Sequence, residues 1–278
     1  MNIAVPTDIN NAASVQRSRG VGRLTCKADG SRTAIENLYQ QGCCKIRIPA
    51  QIGTDALQAV MVNSSGGMTG GDRLDWQFQA GVGTTLTVTT QACERVYKSS
   101  GGAAETKVDL KIEQSAKLAW LPQETILFDE GRFSRTINVV IKGDGELLMV
   151  EPVIFGRQAM GEAVEQGEFR DCWRIRHNGK LLHAENFALS GEISRHLVLP
   201  AVSGGARAMA TILLVAPRAE GLLVALREKI AGFGTASFWN GKLLARIVAK
   251  DGYELRKGLA DAIHLLNQQA PLPKIWSI

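Results

Sequence analysis

The chain of 278 residues has a formal net charge of +5, but its basic residues are scattered and cluster at most in pairs, which argues against a nucleic-acid-binding arm. Its five cysteines lack any CxxC spacing, as is typical of a protein of the reducing cytosol. No apolar run approaches the roughly 18 residues that a membrane helix needs, and no basic flank leads into an apolar segment at the start, so we expect a soluble cytoplasmic protein without a membrane partner.

Polar and small residues dominate positions 1–20, which are predicted to form a flexible leader. From residue 21 to about residue 216 apolar residues recur with period two, and clusters of Gly, Asp, Asn or Ser separate the segments, as in a mainly β protein. The predicted strands are CKIRIPA at 44–50, AVMV at 59–62, LDWQFQA at 74–80, TTLTVTT at 84–90, TKVDLKIEQ at 106–114, TINVVIK at 136–142, ELLMVEP at 146–152 and DCWRIRHN at 171–178.

The pattern changes after about residue 217. Leu255, Leu259, Ile263 and Leu266 recur at the spacing of one helix face. Two amphipathic C-terminal helices are predicted, at 219–230 and 252–269, on either side of a last strand, LLARIVA at 243–249. The sequence therefore predicts one domain over 21–278, β-rich to about residue 216 and α+β from about residue 217.

The stretch MVNSSGGMTGGDRLDWQFQA at 61–80 contains the most unusual loop of the chain. A phosphate-binding loop would lead into a helix N-terminus and carry a Lys with a Ser or Thr, whereas this loop leads into the alternating strand pattern LDWQFQA. A nucleotide site is therefore not expected. Gly66, Gly67, Gly70 and Gly71 are predicted to form a structural turn that needs positive φ in at least one position, and Asp72 is expected either to bind nearby amides or to contact a metal.

Other chemistry is poorly supported by the sequence. Ser65 and Ser203 precede glycines, but neither lies in the GxSxG pattern of a serine hydrolase. The four histidines form neither HxH nor HxxxH, so no permanent metal site is predicted. The vicinal pair Cys43-Cys44 could bind a soft metal, although a purely structural role is the more common one for such cysteines.

Several polar motifs follow predicted strands in a specific order. They are GGDRL at 70–74, TTQACERVY at 89–97, WLPQETILF at 120–128, EGR at 130–132 and FGRQAMGE at 155–162. Together with the terminal LPKIW at 272–276, they resemble the UreD family of urease accessory proteins, also called UreH, from about Gly20 onward. Two positions depart from the family pattern: Ser64-Ser65 replace prolines, and Cys93 replaces a small residue.

The resemblance implies a fold and a function. The fold would be a β-helix-like stack of short strands with a small helical part, in agreement with the period-two pattern. The function would be that of a urease maturation factor, a non-catalytic scaffold or chaperone that binds the urease apoprotein and the helical protein UreF, with the GTPase UreG recruited through UreF. It would support nickel insertion into urease, with nickel as a transient ligand and no permanently bound cofactor.

A protein that hands Ni²⁺ onward is expected to hold it weakly, through carboxylates and water rather than through a set of His and Cys ligands. Acidic residues at predicted strand ends fit this expectation, and Asp72 is the first candidate because it directly follows the glycine turn. The candidates for a transient nickel path are Asp72, Glu94, Glu124 and Glu162, with Glu151 as a further acid at a strand end.

Each acid has a structural alternative, in which it pairs with a nearby base to satisfy a strand end. These pairs would be Asp72 with Arg73, Glu94 with Arg95, and Glu162 with Arg157. Two other functions also stay open. The chain could be a protein-binding module without a metal role, or a hydrolase that uses Glu124 and Glu162 as an acid/base pair if their carboxylates lie about 5–10 Å apart.

The C-terminal segment 252–278 is a candidate partner surface. Trp276 could anchor a partner such as UreF, with Leu255 and Leu259 on the same segment. The alternative is that this helix only closes the β core of the chain.

Overall fold

The chain passes back and forth between two stacked sheets and contributes one or more strands to a sheet on each pass. The computed structural model describes residues 16–50, 54–157, 160–267 and 272–276. The strands are β1 Arg19–Asp29, β2 Arg32–Gly42, β3 Cys44–Arg47, β4 Leu57–Asn63, β5 Arg73–Ala80, β6 Thr85–Thr90, β7 Glu94–Val96, β8 Ala104–Ile112, β9 Lys117–Leu121, β10 Thr125–Leu127, β11 Arg132–Ile141, β12 Glu146–Phe155, β13 Gly167–His177, β14 Lys180–Gly191, β15 Ala208–Val215, β16 Gly234–Trp239 and β17 Lys242–Ala249.

Helices are few and lie in the last third of the chain. They are α1 Ile193–Val198, α2 Leu223–Lys229 and α3 Gly252–Leu266, with 3₁₀ turns at Glu220–Leu222 and Lys274–Trp276. None of the helices in the described residues is long and apolar enough to cross a membrane. The predicted leader over 1–20 lies largely outside the described residues, and β1 already begins at Arg19, two residues before the predicted start of order.

Parallel pairing between strands of successive windings of the chain makes the stack. The seven-stranded sheet has the order β14-β13-β11-β8-β5-β1-β2, and its strands from β1 to β13 pair in parallel. The second sheet has the order β16-β17-β15-β12-β9-β6-β4-β3, in which β4, β6, β9 and β12 pair in parallel. The chain thus winds from one sheet to the other, which confirms the predicted β-helix-like stack.

Alternation along the strands fills the space between the sheets. In β5 the side chains of Leu74, Trp76 and Phe78 are buried, while Asp75 and Gln77 between them are only partly buried. The second sheet is different, because its central strand β12 is buried on both faces over most of its length. One face contacts the seven-stranded sheet, and the other contacts the C-terminal helices, so the molecule has two hydrophobic clusters.

The C-terminal helix α3 closes the second cluster. Leu255, Leu259, Ile263 and Leu266 are fully buried, as the helical spacing predicted. Trp276 is also buried, at 1% exposure, and its indole N–H donates to the Leu121 carbonyl at 3.0 Å. This burial corrects the expectation that Leu255, Leu259 and Trp276 form a partner surface, because the core of the chain itself occupies these side chains.

Several elements were absent from the sequence-based assignment, among them the strands β1, β2, β7, β9, β10, β14, β15 and β16. The predicted helices bracket a hairpin of β16 and β17 rather than β17 alone. The short helix α1 was also missed, because its six residues are too few to establish a helical period. The end predicted for the last helix, residue 269, lies outside the described residues.

Candidate functional site

The glycine turn connects β4 to β5 and is held in a conformation that other residues rarely adopt. Gly66, Gly67 and Gly71 have φ values of +79°, +147° and +90°, which confirms the expectation of positive φ. Gly70 is required for a different reason, since a Cβ there would lie 2.0 Å from the Ser99 Oγ. The turn leads into a strand, and its geometry is explained by the chain itself.

Asp72 ends this turn as a buried structural carboxylate. Its Oδ1 accepts a hydrogen bond from the Ser18 amide at 2.7 Å, and its Oδ2 accepts one from the Thr69 amide at 2.8 Å. The suggested pairing with Arg73 is not observed, because Arg73 forms its ion pair with Glu105 at 3.3 Å. Asp72 therefore ties the turn to the residues that enter β1.

Glu94 has a different environment. It begins β7, and its carboxylate accepts from the Asn63 amide at 3.1 and 3.2 Å, whereas Arg95 forms no ion pair with it. The pKa of Glu94 is raised to about 7, chiefly by desolvation and to a smaller degree by the negative charge of Asp72, while the Asn63 hydrogen bond and the backbone amide and charge of Arg95 act to lower it. Glu94 also lines a cavity of about 170 Å³ with Asn63 and Gly67. It is thus a half-buried acid beside open volume, with a neutral side-chain partner.

Glu124 lies next to this position but is neutralised. Its carboxylate accepts from Arg256 of α3 at 2.8 and 3.0 Å, and the Cys93 thiol donates to its Oε2 at 3.1 Å. The Glu124 carbonyl accepts from the Glu94 amide at 3.0 Å, so the two acids follow neighbouring strands. The WLPQET motif therefore docks the C-terminal helix onto the stack.

Glu162 forms the predicted pair with Arg157. The guanidinium donates to both carboxylate oxygens, at 2.8 and 2.9 Å, and this contact lowers the pKa of Glu162. The four predicted acids therefore do not converge on one point. Among the described residues there is no group of three or more His, Cys, Asp or Glu side chains that could hold a metal ion.

A second polar cluster lies in the interior, between the sheets. Arg135 contacts Glu151 at 2.5 Å and Asp171 at 2.5 Å, and all three side chains are buried. Trp120 donates to Glu151 at 2.6 Å, and Trp173 donates to Asp171 at 2.8 Å. We call Arg135, Glu151 and Asp171 the interior triad.

Sequence reasoning named Glu151 but missed its two partners. The signal was present, because Arg135 lies between Phe133 and Ile137 in β11, at a position whose period-two pattern points inward. Asp171 occupies the paired position in the neighbouring strand β13. A charged residue on the apolar phase of two strands predicts a buried ion pair.

Comparisons with known proteins agree over almost the whole chain. The family model described as UreD urease accessory protein matches residues 18–277. The urease accessory protein UreD of Mesorhizobium japonicum is 47% identical over 267 residues, which are 95% of this chain and 95% of the relative. The protein of the same name from Agrobacterium fabrum is 47% identical over 98% of this chain and 95% of its own length, and the one from Sinorhizobium medicae is 48% identical over 96% of this chain and 98% of its own length. The chain therefore belongs to the UreD family of urease accessory proteins.

Proposed function

We propose that this chain is a non-catalytic maturation factor for urease that acts in the cytoplasm. It binds the urease apoprotein and UreF, engages the GTPase UreG through UreF, and supports nickel insertion into the urease active site. Support comes from the family match over residues 18–277 and from relatives named as urease accessory proteins that cover nearly the same length.

The position of the Glu94 carboxylate beside a cavity is the observation that supports a direct contact between this chain and the metal. A carboxylate is a hard ligand that exchanges metal readily, and at Glu94 it faces a cavity with an amide as its only hydrogen-bonding side-chain partner among the described residues. A pKa of about 7 keeps part of the population ionised at neutral pH, so the group can bind a cation and release it again. Nickel is the cargo here, and we place Glu94 ahead of Asp72 on its path.

The ranking of the other acids follows from their partners. Asp72 has both oxygens occupied by backbone amides, Glu124 is bound by Arg256, and Glu162 is bound by Arg157. Each would have to give up these contacts before it could bind a metal. We retain Asp72, Glu124 and Glu162 as supports for the local fold rather than as first contacts of nickel.

The hydrolase alternative has no geometric support. A carboxylic acid catalyst needs a raised pKa so that it is protonated at working pH. The arginine partner of Glu162 lowers its pKa instead, and Glu124 is held by a bidentate arginine. A purely protein-binding module without a metal role differs from our proposal only in the behaviour of Glu94.

The proposal is tested by deletion and complementation in cells that carry the complete urease gene cluster. We expect deletion to leave urease protein present but poor in nickel, and the wild-type chain to restore nickel and to co-purify with UreF and the urease apoprotein. Normal urease nickel content without the chain, or the absence of both partners from its complexes, would refute the proposed function.

A further inference from the structure

An open apolar groove lies on the outer side of the short strands, and Arg95 lines both this groove and the Glu94 cavity. The groove has a volume of about 660 Å³ and is lined by Arg95, Ile126, Phe128, Ile154, Arg157 and Tyr253. We call it the Arg95 groove. Three of the sequence motifs, TTQACERVY, WLPQETILF and FGRQAMGE, supply most of its lining, and Arg157 is the residue among them whose contact with Glu162 is described above.

Strand register explains why these residues share one face. β7, β10 and β12 pair in parallel, so Arg95 lies beside Ile126, and Ile126 lies beside Ile154. Their neighbours in sequence, such as Val96 and Leu127, are fully buried in the core. The period of two therefore directs Arg95, Ile126 and Ile154 outward together.

The N-terminus of α3 forms one wall and approaches the row closely. A Cβ at Gly252 would lie 2.5 Å from the Ile154 Cδ1, so glycine permits this approach. Tyr253 follows and stands 61% exposed, with the Lys257 ammonium 4.4 Å from its ring centroid. On the opposite wall the Arg157 guanidinium lies 4.5 Å from the centroid of the Phe128 ring. On each wall, a cationic side chain thus lies over the face of an aromatic ring.

The charged groups of the groove differ in whether another residue of the chain already contacts them. Arg157 is neutralised by Glu162, and the Asp251 carboxylate caps α3 by accepting from the Glu254 amide at 2.8 Å. Arg95 is exposed, and within the described ranges it forms no ion pair. A ligand that brings an apolar side chain and a carboxylate would bury the floor and neutralise Arg95 at the same time.

We propose that the Arg95 groove binds a segment of a partner protein in which an aromatic or branched apolar side chain is flanked by Asp or Glu. Exposed Tyr and Arg around an apolar floor are the residue types that dominate binding energy at protein interfaces. The inference rests on the proposed function, because that function names UreF and the urease apoprotein as the partners that could bind the groove. The partner surface proposed here consists of exposed residues of the Arg95 groove and no longer of Leu255, Leu259 and Trp276, which are buried.

Photo-crosslinking identifies the occupant. Tyr253→p-benzoylphenylalanine is placed in the full chain, the complex with UreF and the urease apoprotein is assembled and irradiated, and the adduct is located by mass spectrometry. We expect a peptide of UreF or of urease that carries Asp or Glu within about four residues, one helical turn, of an aromatic or branched residue. A crosslink to a second copy of this chain, to a peptide without an acid, or no adduct at all overturns the proposal.

Binding measurements separate the two features of the groove. Tyr253→Ser and Arg95→Glu each change an exposed side chain, and each is expected to weaken binding to the crosslinked partner about tenfold. The Arg95→Glu effect should shrink in about 1 M salt, where charges are screened within a few ångströms, while the Tyr253→Ser effect persists. Val224→Ser and Lys229→Glu, on the exposed face of α2, are the matched controls and should bind as wild type.

Each outcome of these measurements has one meaning. If both groove variants bind UreF and the urease apoprotein within about twofold of wild type, the groove is not the docking site and the proposed function is unaffected. If the controls weaken binding as much as the groove variants do, the groove has no special role, and the inference fails. If the wild-type chain binds neither protein, the proposed function fails together with the inference.

Discussion

The interior triad contains buried carboxylates and the Glu94 site a half-buried one, and their partners differ. Glu151 and Asp171 contact the same guanidinium, and each also accepts from an indole N–H. Glu94 has the side chain of Asn63 as its partner and lies beside a cavity. A charged partner makes a buried acid a fixed part of the fold, whereas a neutral partner leaves its charge available to a cation.

The interior triad should give the largest loss of stability. Arg135→Met leaves two carboxylates in the core without a cation, which we expect to cost about 3–5 kcal/mol in the free energy of unfolding. Chemical denaturation of the purified chain measures it. The control is Arg132→Met, whose ion pair with Glu168 is half exposed and should be worth less than about 1 kcal/mol. Equal losses in the two variants would remove the distinction between fixed and available charges.

Substitution of Asp72 should also destabilise the fold, but by less than substitution in the interior triad. Asp72→Asn keeps one carbonyl oxygen for two backbone amides, so one buried N–H loses its acceptor, at a cost of about 1–3 kcal/mol. Asp75→Asn, one pleat further on and facing outward, is the control and should be close to neutral. An Asp72→Asn variant with wild-type stability and reduced urease nickel would instead return Asp72 to the metal path.

Titration of Glu94 should make the stability of the protein depend on pH. The folded pKa of Glu94, about 7, lies above the usual 4.5, so the stability that its protonation contributes is fully present below about pH 4.5 and is lost as the pH rises through 7. Between pH 7.5 and 5.5, wild type should therefore gain about 1–2 kcal/mol relative to Glu94→Gln. Parallel pH profiles of the two proteins would show that Glu94 titrates normally.

The glycine turn that leads into Asp72 and lines the Glu94 cavity should give the smallest change. Gly66 has φ +79° and open space around its Cα, so Gly66→Ala tests backbone strain alone and should cost about 1 kcal/mol. Gly221→Ala, which also meets open space but lacks a positive φ, is the matched control. A neutral Gly66→Ala would mean that the turn relaxes and that its positive φ carries no strain for a larger residue.

Local patterns in the sequence were enough to predict a mainly β chain and the buried face of α3, whereas the stack of strands was implied by the resemblance to the UreD family. The alternation of Leu74, Trp76 and Phe78 is visible without any knowledge of the partner strand, because it depends only on the pleat. The same is true of Leu255 and Leu259, whose helical spacing predicted one buried face correctly. It could not tell whether that face packs on the chain itself or on a partner, and the partner interpretation was wrong.

The candidate site depended on contacts that sequence does not encode locally. One of the two amides that Asp72 accepts from lies 54 residues away at Ser18, and Glu124 meets Arg256 across 132 residues. Pairing of Asp72 with the adjacent Arg73 fails because backbone amides occupy both Asp72 oxygens and Arg73 pairs with Glu105. Glu162 with Arg157 was predicted correctly, since a short loop brings these two residues together.

Urease nickel content in a Glu94→Gln strain is the most direct test of a metal contact at this site. The substitution preserves shape and the neighbouring Asn63 but removes the charge, and Glu105→Gln on the outer face of β8 is the control. We predict that Glu94→Gln lowers the nickel content of urease while the complex with UreF and the urease apoprotein still assembles, and that Glu105→Gln leaves both unchanged. Wild-type nickel content in the Glu94→Gln strain would contradict the account.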